Sequence, residues 1–485
     1  MKPLLTLVLS IMVLSGFSQR IDSLALIQFK DQVLELQNSE LLRNGSLSVQ
    51  LKRVASNENI FAVNQHLSVP SASTLKLITT STALAIFGSN YHYVTYLEYS
   101  GKVVSDTLFG NIYVRGTGDP SLGSVRFDGQ PTSTELLSSW SHAIGKLGIR
   151  YVKGRIIADA TYFEGASIAD SWIWGDIGNA YGAGVYGLNL NENYYTVQLV
   201  PGRNIGDPVT FRGTSPPLPY IYFENLLTTG ARGSGDKSIF YANPLSNAIQ
   251  FVGTIPAGPK VFSVRGAIPN VPLFIEKALQ ESLQKDSIGV EQVFDVAYDK
   301  THRMEIAKYH SRSLEELCRQ TNLWSINLYA DAFLRNIGKK LEGKSDFDSS
   351  VEAVKKYWSD KGADMRGFMV KDGSGLSPSG SLTAGNMTEV LCLISKNAVF
   401  KDFYDGLAVL GATGTVRRLG RKTNAANNIR AKSGSIEGTR AYAGYVTTKS
   451  GGLLAFSLLA HKYQPKADKE IVDELEKLMV SMAEL

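Results

Sequence analysis

At 485 residues the chain exceeds one ordinary domain and should hold roughly two to four. With 44% hydrophobic and 20% charged residues it is a globular protein with a sizeable core. Its net charge of +5, from 50 Lys+Arg against 45 Asp+Glu, is spread without a basic run longer than pairs such as Arg417-Arg418. That excludes nucleic acid as an expected partner. The six histidines form no H-x-x-x-H pair and the two cysteines fit no metal spacing, so neither metal nor other cofactor is expected.

Lys2, the apolar stretch Leu4 to Leu14 and the small residues around Gly16 to Ser18 have the order of a secretory signal peptide. Cleavage after Ser18 would leave Gln19 first, with no cysteine there for a lipid. The apolar run is too short to span a bilayer. An exported protein, periplasmic or extracellular and without a transmembrane anchor once the signal is removed, is expected. In that compartment Cys318 and Cys392 are free to pair or to stay as buried thiols.

Helical periodicity marks residues 21 to 43, 73 to 88, 304 to 342, 347 to 360, 383 to 397 and 466 to 483. Between Tyr93 and about Asn270 the chain instead reads as short β-branched and aromatic runs separated by turn residues. A hairpin closes the pattern, with Tyr442 to Thr447 and Leu453 to Ala460 flanking Lys449-Ser450-Gly451-Gly452. Helices at both ends of a β-rich middle predict an α/β domain split by an insertion, so that a site can be assembled from distant segments.

Gly182-x-Gly184-x-x-Gly187 matches a dinucleotide-binding pattern, but strand-like Tyr194 to Leu199 follows where a helix would be needed. It reads as a structural loop. Ser73-Thr74-Leu75-Lys76 is more informative. Pro70 precedes it, and Leu75, Ile78, Thr82 and Ala85 follow on one helical face, so Ser73 falls in a first turn, where backbone N–H groups favour an oxyanion. The i,i+3 spacing brings the Lys76 amine beside the Ser73 hydroxyl. Lysine serves as a base only when neutral, about three pKa units below its reference, which takes burial or a second cation. Ser234/Lys237 and Ser282/Lys285 share the spacing but lie in a loop and on a surface-like helix.

Lys432-Ser433-Gly434, on a strand-like edge running to Ser435, supplies a candidate cation; Lys449-Ser450-Gly451 is explained by its hairpin turn. Ser325-Ile326-Asn327 offers a hydroxyl and an amide between Trp324 and Leu328. Ser395-Lys396-Asn397 reads as a helix cap.

S-x-x-K, S-x-N and K-[ST]-G in this order are the motifs of penicillin-binding proteins and serine β-lactamases. The strings Pro70 to Thr79, Arg115 to Leu122, Gly154 to Phe163, Asp372 to Ser377 and Gly414 to Arg418 resemble the D-alanyl-D-alanine carboxypeptidase/endopeptidase family, the class C low-molecular-mass penicillin-binding proteins. The resemblance implies a penicillin-recognising α/β fold, an antiparallel sheet with helices, formed by 19–90 and 300–485. It implies an inserted β-rich domain at 91–195 and 251–299, with a smaller nested domain at 196–250. By the same resemblance Ser73 is the nucleophile, Lys76 its base and Ser325 a proton relay. Asn327 orients the substrate peptide, and Lys432 and Ser433 hold its carboxylate while Lys432 helps to keep Lys76 neutral. Backbone N–H groups of Ser73 and Ser435 form the oxyanion hole, and Asp159 contacts a diaminopimelate amine. Peptidoglycan stem peptides are the implied substrates and β-lactams the implied acylating inhibitors. A β-lactamase and a catalytically silent wall- or penicillin-binding module are the competing readings.

Overall fold

The computed structural model describes residues 21–291 and 302–485. The expected signal peptide lies outside them. The frame is a five-stranded antiparallel sheet in the order Arg430–Ile436, Thr439–Thr447, Leu453–His461, Ser46–Arg53, Asn59–Val63, which joins the two ends of the chain. Along Leu453–His461, alternate residues Leu454, Phe456 and Leu458 pack with Phe29 of helix Ser23–Gln37 and Ile471 and Leu475 of helix Asp468–Met482. Ala455 and Leu459 face the other way, in the cluster that contains Leu84 of helix Lys76–Phe87 and Val390 of helix Ala384–Ile394. A strand buried on both faces must be apolar at nearly every position, and this one is.

The stretch expected to be helical over 304–342 is three elements. Met304–His310 is a strand, Leu314–Trp324 a helix, and Asn327–Glu342 a second helix. Pairing with the edge Val94–Tyr99 overrides the helical periodicity of Met304–His310. The boundary expected at 299/300 therefore moves beyond His310, since this strand completes a sheet with Val94–Tyr99, Ile112–Arg115 and Ile156–Asp159.

The nested unit expected at 196–250 has different limits as well. Tyr194–Val200 pairs with Phe262–Ala267, and Ala248–Pro256 runs through residue 250. Val197, Leu199, Phe240 and Phe251 share one apolar cluster with Leu97, Val114 and Trp140 of the rest of the insertion.

Cys318 and Cys392 are buried free thiols. Among the described residues no helix is long and apolar enough to cross a membrane.

Arg335 ties the insertion to the catalytic half. Only 1% exposed, it stacks on Phe163 and donates to the carbonyls of Ser345, Ala166, Val185 and Glu164. Burial pulls its guanidinium down to about 10, with Asp331, Asp346 and Glu164 opposing. Arg335→Met would strand several buried carbonyls and should destabilise the protein by about 3 kcal/mol. Urea unfolding checks this; a midpoint equal to the parent's would count against the clamp.

Candidate active site

The Ser73 turn is made by close backbone approach. Ala72 to Leu75 form a 3₁₀ turn with Ala72 at φ 45°, and the α-helix starts at Lys76. A Cβ on Gly434 would lie 2.6 Å from the Ser71 carbonyl oxygen, and one on Gly375 would lie 2.0 Å from that of Ala72. Only glycine lets the strand Arg430–Ile436 and the 372–377 loop reach the backbone of the Ser73 turn.

Lys76 is fully buried. Its Nζ lies 2.8 Å from Ser73 Oγ, 2.6 Å from Asn327 Oδ1 and 2.7 Å from the Ser374 carbonyl oxygen. The last two partners can only accept. A neutral amine has two N–H bonds, and these two carbonyls occupy both. The nitrogen lone pair is then left facing the Ser73 hydroxyl, the arrangement that general-base catalysis requires. Burial pulls the Lys76 amine down to about 8, against the opposing pull of Asp331 and Asp372.

Those carboxylates are themselves buried. Asp331 stands one turn beyond Asn327 on the same helix, and its Oδ1 accepts from the Gly373 N–H at 2.7 Å. Burial, and then the charge of Asp372, push it up to about 8. Asp372 accepts from the N–H groups of Gly375 and Ser377 and from the Trp172 indole, at 2.7, 2.8 and 2.8 Å.

Ser325 closes helix Leu314–Trp324 in the left-handed region, φ 61°, and the next helix begins two residues later. This corner places Asn327 on Lys76 and the Ser325 hydroxyl 2.9 Å from Lys432 Nζ. Burial, and then the Lys76 charge, hold the Lys432 amine well below its ordinary range.

The family model for the D-Ala-D-Ala carboxypeptidase 3 (S13) family matches residues 31–482. The chain belongs to this family. A D-alanyl-D-alanine carboxypeptidase from an Actinomadura species is 24% identical over 464 residues, 93% of this chain and 84% of that one. A carboxypeptidase from Haemophilus influenzae is also 24% identical, over 415 residues, covering 85% and 84%. The crystal structure of penicillin binding protein 4 from H. influenzae superposes with a TM-score of 0.80 at 22% identity, covering 94% of this chain and 99% of that chain. Its complex with a β-lactam has been solved too, and that chain superposes with a TM-score of 0.75 at 21% identity.

In this S13 enzyme the fold gathers Ser73, Lys76, Ser325, Asn327, Lys432 and Ser433, with two adjustments to their expected contacts. Burial is what lowers Lys76, to about 8, while burial and then the charge of Lys76 lower Lys432. The Ser325 hydroxyl touches Lys432, and no hydrogen bond joins it to Lys76 among the described residues. Ser433 Oγ donates to Thr415 at 2.7 Å, and the exposed Ser435 hydroxyl accepts from Arg440. Asp159 is engaged by other residues. Its Oδ2 pairs with Arg303 at 2.7 Å, and Thr161 donates to its Oδ1 at 2.6 Å. Burial alone would raise its pKa, but these hydrogen bonds leave it lowered. A substrate amine would have to displace Arg303 to reach it.

Sequence reasoning assigned no role to Ser374, Asp331, Trp172 or Tyr181. The i,i+4 spacing of Asn327 and Asp331 was an available signal and Ser374 lies within the string Asp372 to Ser377; nothing marked Trp172 or Tyr181. G-x-G-x-x-G is a loop, as expected, running from the 3₁₀ turn Ala180–Gly182.

Acylation of Ser73 by penicillin should speed up as pH rises through about 8, where Lys76 loses its proton. Asp331 favours the charged amine, so Asp331→Asn, which keeps an acceptor for Gly373, should move that midpoint down. A pH profile of the acylation rate constant decides; an unchanged or raised midpoint contradicts the assignment.

Proposed function

We propose that this enzyme hydrolyses the D-Ala-D-Ala bond of peptidoglycan stem peptides through a Ser73 acyl-enzyme. The contact between the Ser73 hydroxyl and a buried, deprotonatable amine at 2.8 Å carries this reading. Ser73 Oγ attacks the penultimate D-Ala carbonyl as Lys76 takes its proton. Backbone N–H groups of Ser73 and Ser435 hold the oxyanion, a contribution of about 10²–10³ per donor in comparable sites. Asn327 Nδ2 has two hydrogens; one is on the Tyr181 carbonyl at 2.8 Å, and the other orients the substrate peptide. Lys432 and Ser433 hold the terminal carboxylate. Ser325, polarised by Lys432, passes its proton to the leaving amine and takes up the one that Lys76 received from Ser73, so that the C–N bond breaks, D-Ala leaves and Lys76 is neutral again. Water then adds to the ester as Lys76 takes its proton, and the same proton passes to Ser73 Oγ as the ester C–O bond breaks and the shortened peptide leaves.

Where the leaving amine belongs to a second stem peptide, the same steps cut a cross-link. A β-lactam forms the same ester but keeps its leaving group tethered, so the enzyme stalls. The N-terminal order of Lys2, Leu4 to Leu14 and Ser18 supports export to the compartment where this substrate lies.

Release of free D-Ala from a pentapeptide should fall at least about 10³-fold in Ser73→Ala. Intact-mass spectrometry after penicillin should show one adduct, lost in the same variant. An adduct that persists in Ser73→Ala would overturn the assignment of the nucleophile. Soluble cross-linked dimers, supplied in parallel, measure the endopeptidase share.

A further inference from the structure

Both segments whose carbonyls engage the Lys76 amine are tied to one short stretch of the insertion. Asn327 presents Oδ1 to Lys76 while its Nδ2 donates to the Tyr181 carbonyl at 2.8 Å. Ser374 presents its carbonyl from the 372–377 loop, whose shape is set by Asp372. That carboxylate is 1% exposed, and one of its three N–H donors is the Trp172 indole, at 2.8 Å. Tyr181 is fixed in turn through its hydroxyl, which donates to Asp176 at 2.9 Å. The catalytic half thus supplies both acceptors, and residues 172–181 bond to the side chain that carries one and to the loop that carries the other.

Resting on Lys76 as the base for Ser73, we infer that Trp172 and Tyr181 are positioning residues for the proton transfer, coupling the seating of the insertion to activation of the nucleophile. Trp172 acts through Asp372 and Ser374, and Tyr181 through Asn327. The indole N–H also partly neutralises the Asp372 carboxylate. Without it the carboxylate's field at Lys76 grows, and the amine keeps its proton to higher pH. The other ionisable groups around that amine are Asp331, from helix Asn327–Glu342, and Lys432, from strand Arg430–Ile436; neither bonds to residues 172–181. A segment that only stabilised the fold would change the amount of active enzyme and leave both the rate per site and its pH midpoint alone.

The test is Trp172→Phe, which keeps the ring buried and removes the donor. Rates of acylation by a chromogenic cephalosporin are measured across pH and normalised to sites titrated with penicillin, so unfolded molecules do not enter. The acylation rate constant should fall about tenfold, the loss of one charge-assisted hydrogen bond. Its midpoint should move to higher pH, and the dissociation constant of the pre-acylation complex should stay the same. Trp172→His, which returns a ring N–H, should recover part of the rate. A parental rate and midpoint in Trp172→Phe would overturn the inference. If that variant does not accumulate, Asp176→Ala takes its place, releasing Tyr181 at the surface; a severalfold slower acylation is expected, and no change overturns the inference. Mass spectrometry of the parent keeps the two claims separate. An adduct away from Ser73 defeats the proposed function, whereas a Ser73 adduct with variant rates like the parent's defeats only this inference.

Discussion

The Lys76 amine has no exposed surface and lies 2.8 Å from the Ser73 hydroxyl, and most of the surrounding structure either keeps it dry or aims it. Burial alone would make a cation here very costly. The fold places four ionisable groups in the same interior: two amines, Lys76 and Lys432, and two carboxyls, Asp331 and Asp372. Their formal charges cancel. The cluster can therefore lose or gain one proton without leaving a large net charge in a medium of low dielectric, and burial leaves Lys76 within reach of neutrality instead of forcing it there outright.

Aiming the amine needs partners that only accept. Carbonyl oxygens do this, and they come from segments far apart in the chain: the corner after Ser325 and the loop beginning at Asp372. Both must approach closely, which explains the backbone at this point. Gly375 and Gly434 let two segments touch the Ser73 turn, and Ser325 adopts a left-handed conformation so that its hydroxyl and the Asn327 amide meet different lysines. The insertion closes the arrangement. Arg335 pins it to helix Asn327–Glu342, while Tyr181 reaches Asn327, which touches Lys76, and Trp172 reaches Asp372 in the loop that carries Ser374. A β-rich segment that looks like an appendage in the chain is part of the wall of the site.

Local patterns carried a good deal of this. Ser73 and Lys76 are three residues apart on a helix start, so their proximity needs no tertiary contact, and the hairpin up to Ala460 could be read from apolar residues that suit a strand covered on both faces. Where the local signal failed, a competing partner existed elsewhere. Met304 to His310 has helical periodicity, but a free strand edge at Val94 to Tyr99 offered backbone hydrogen bonds. Asp159, matched by resemblance to a substrate contact, met an arginine 144 residues away that no spacing rule connects to it.

The contact between Ser73 and Lys76, the α/β fold and the family could be read from the sequence alone, because each rests on residue type at short spacing or on strings in a fixed order. The tertiary structure decided which carbonyls occupy the Lys76 N–H bonds, which lysine Ser325 touches, and that residues 172–181 stand behind them. Those contacts join positions separated by more than a hundred residues, where energy depends on distance and desolvation that no local pattern encodes.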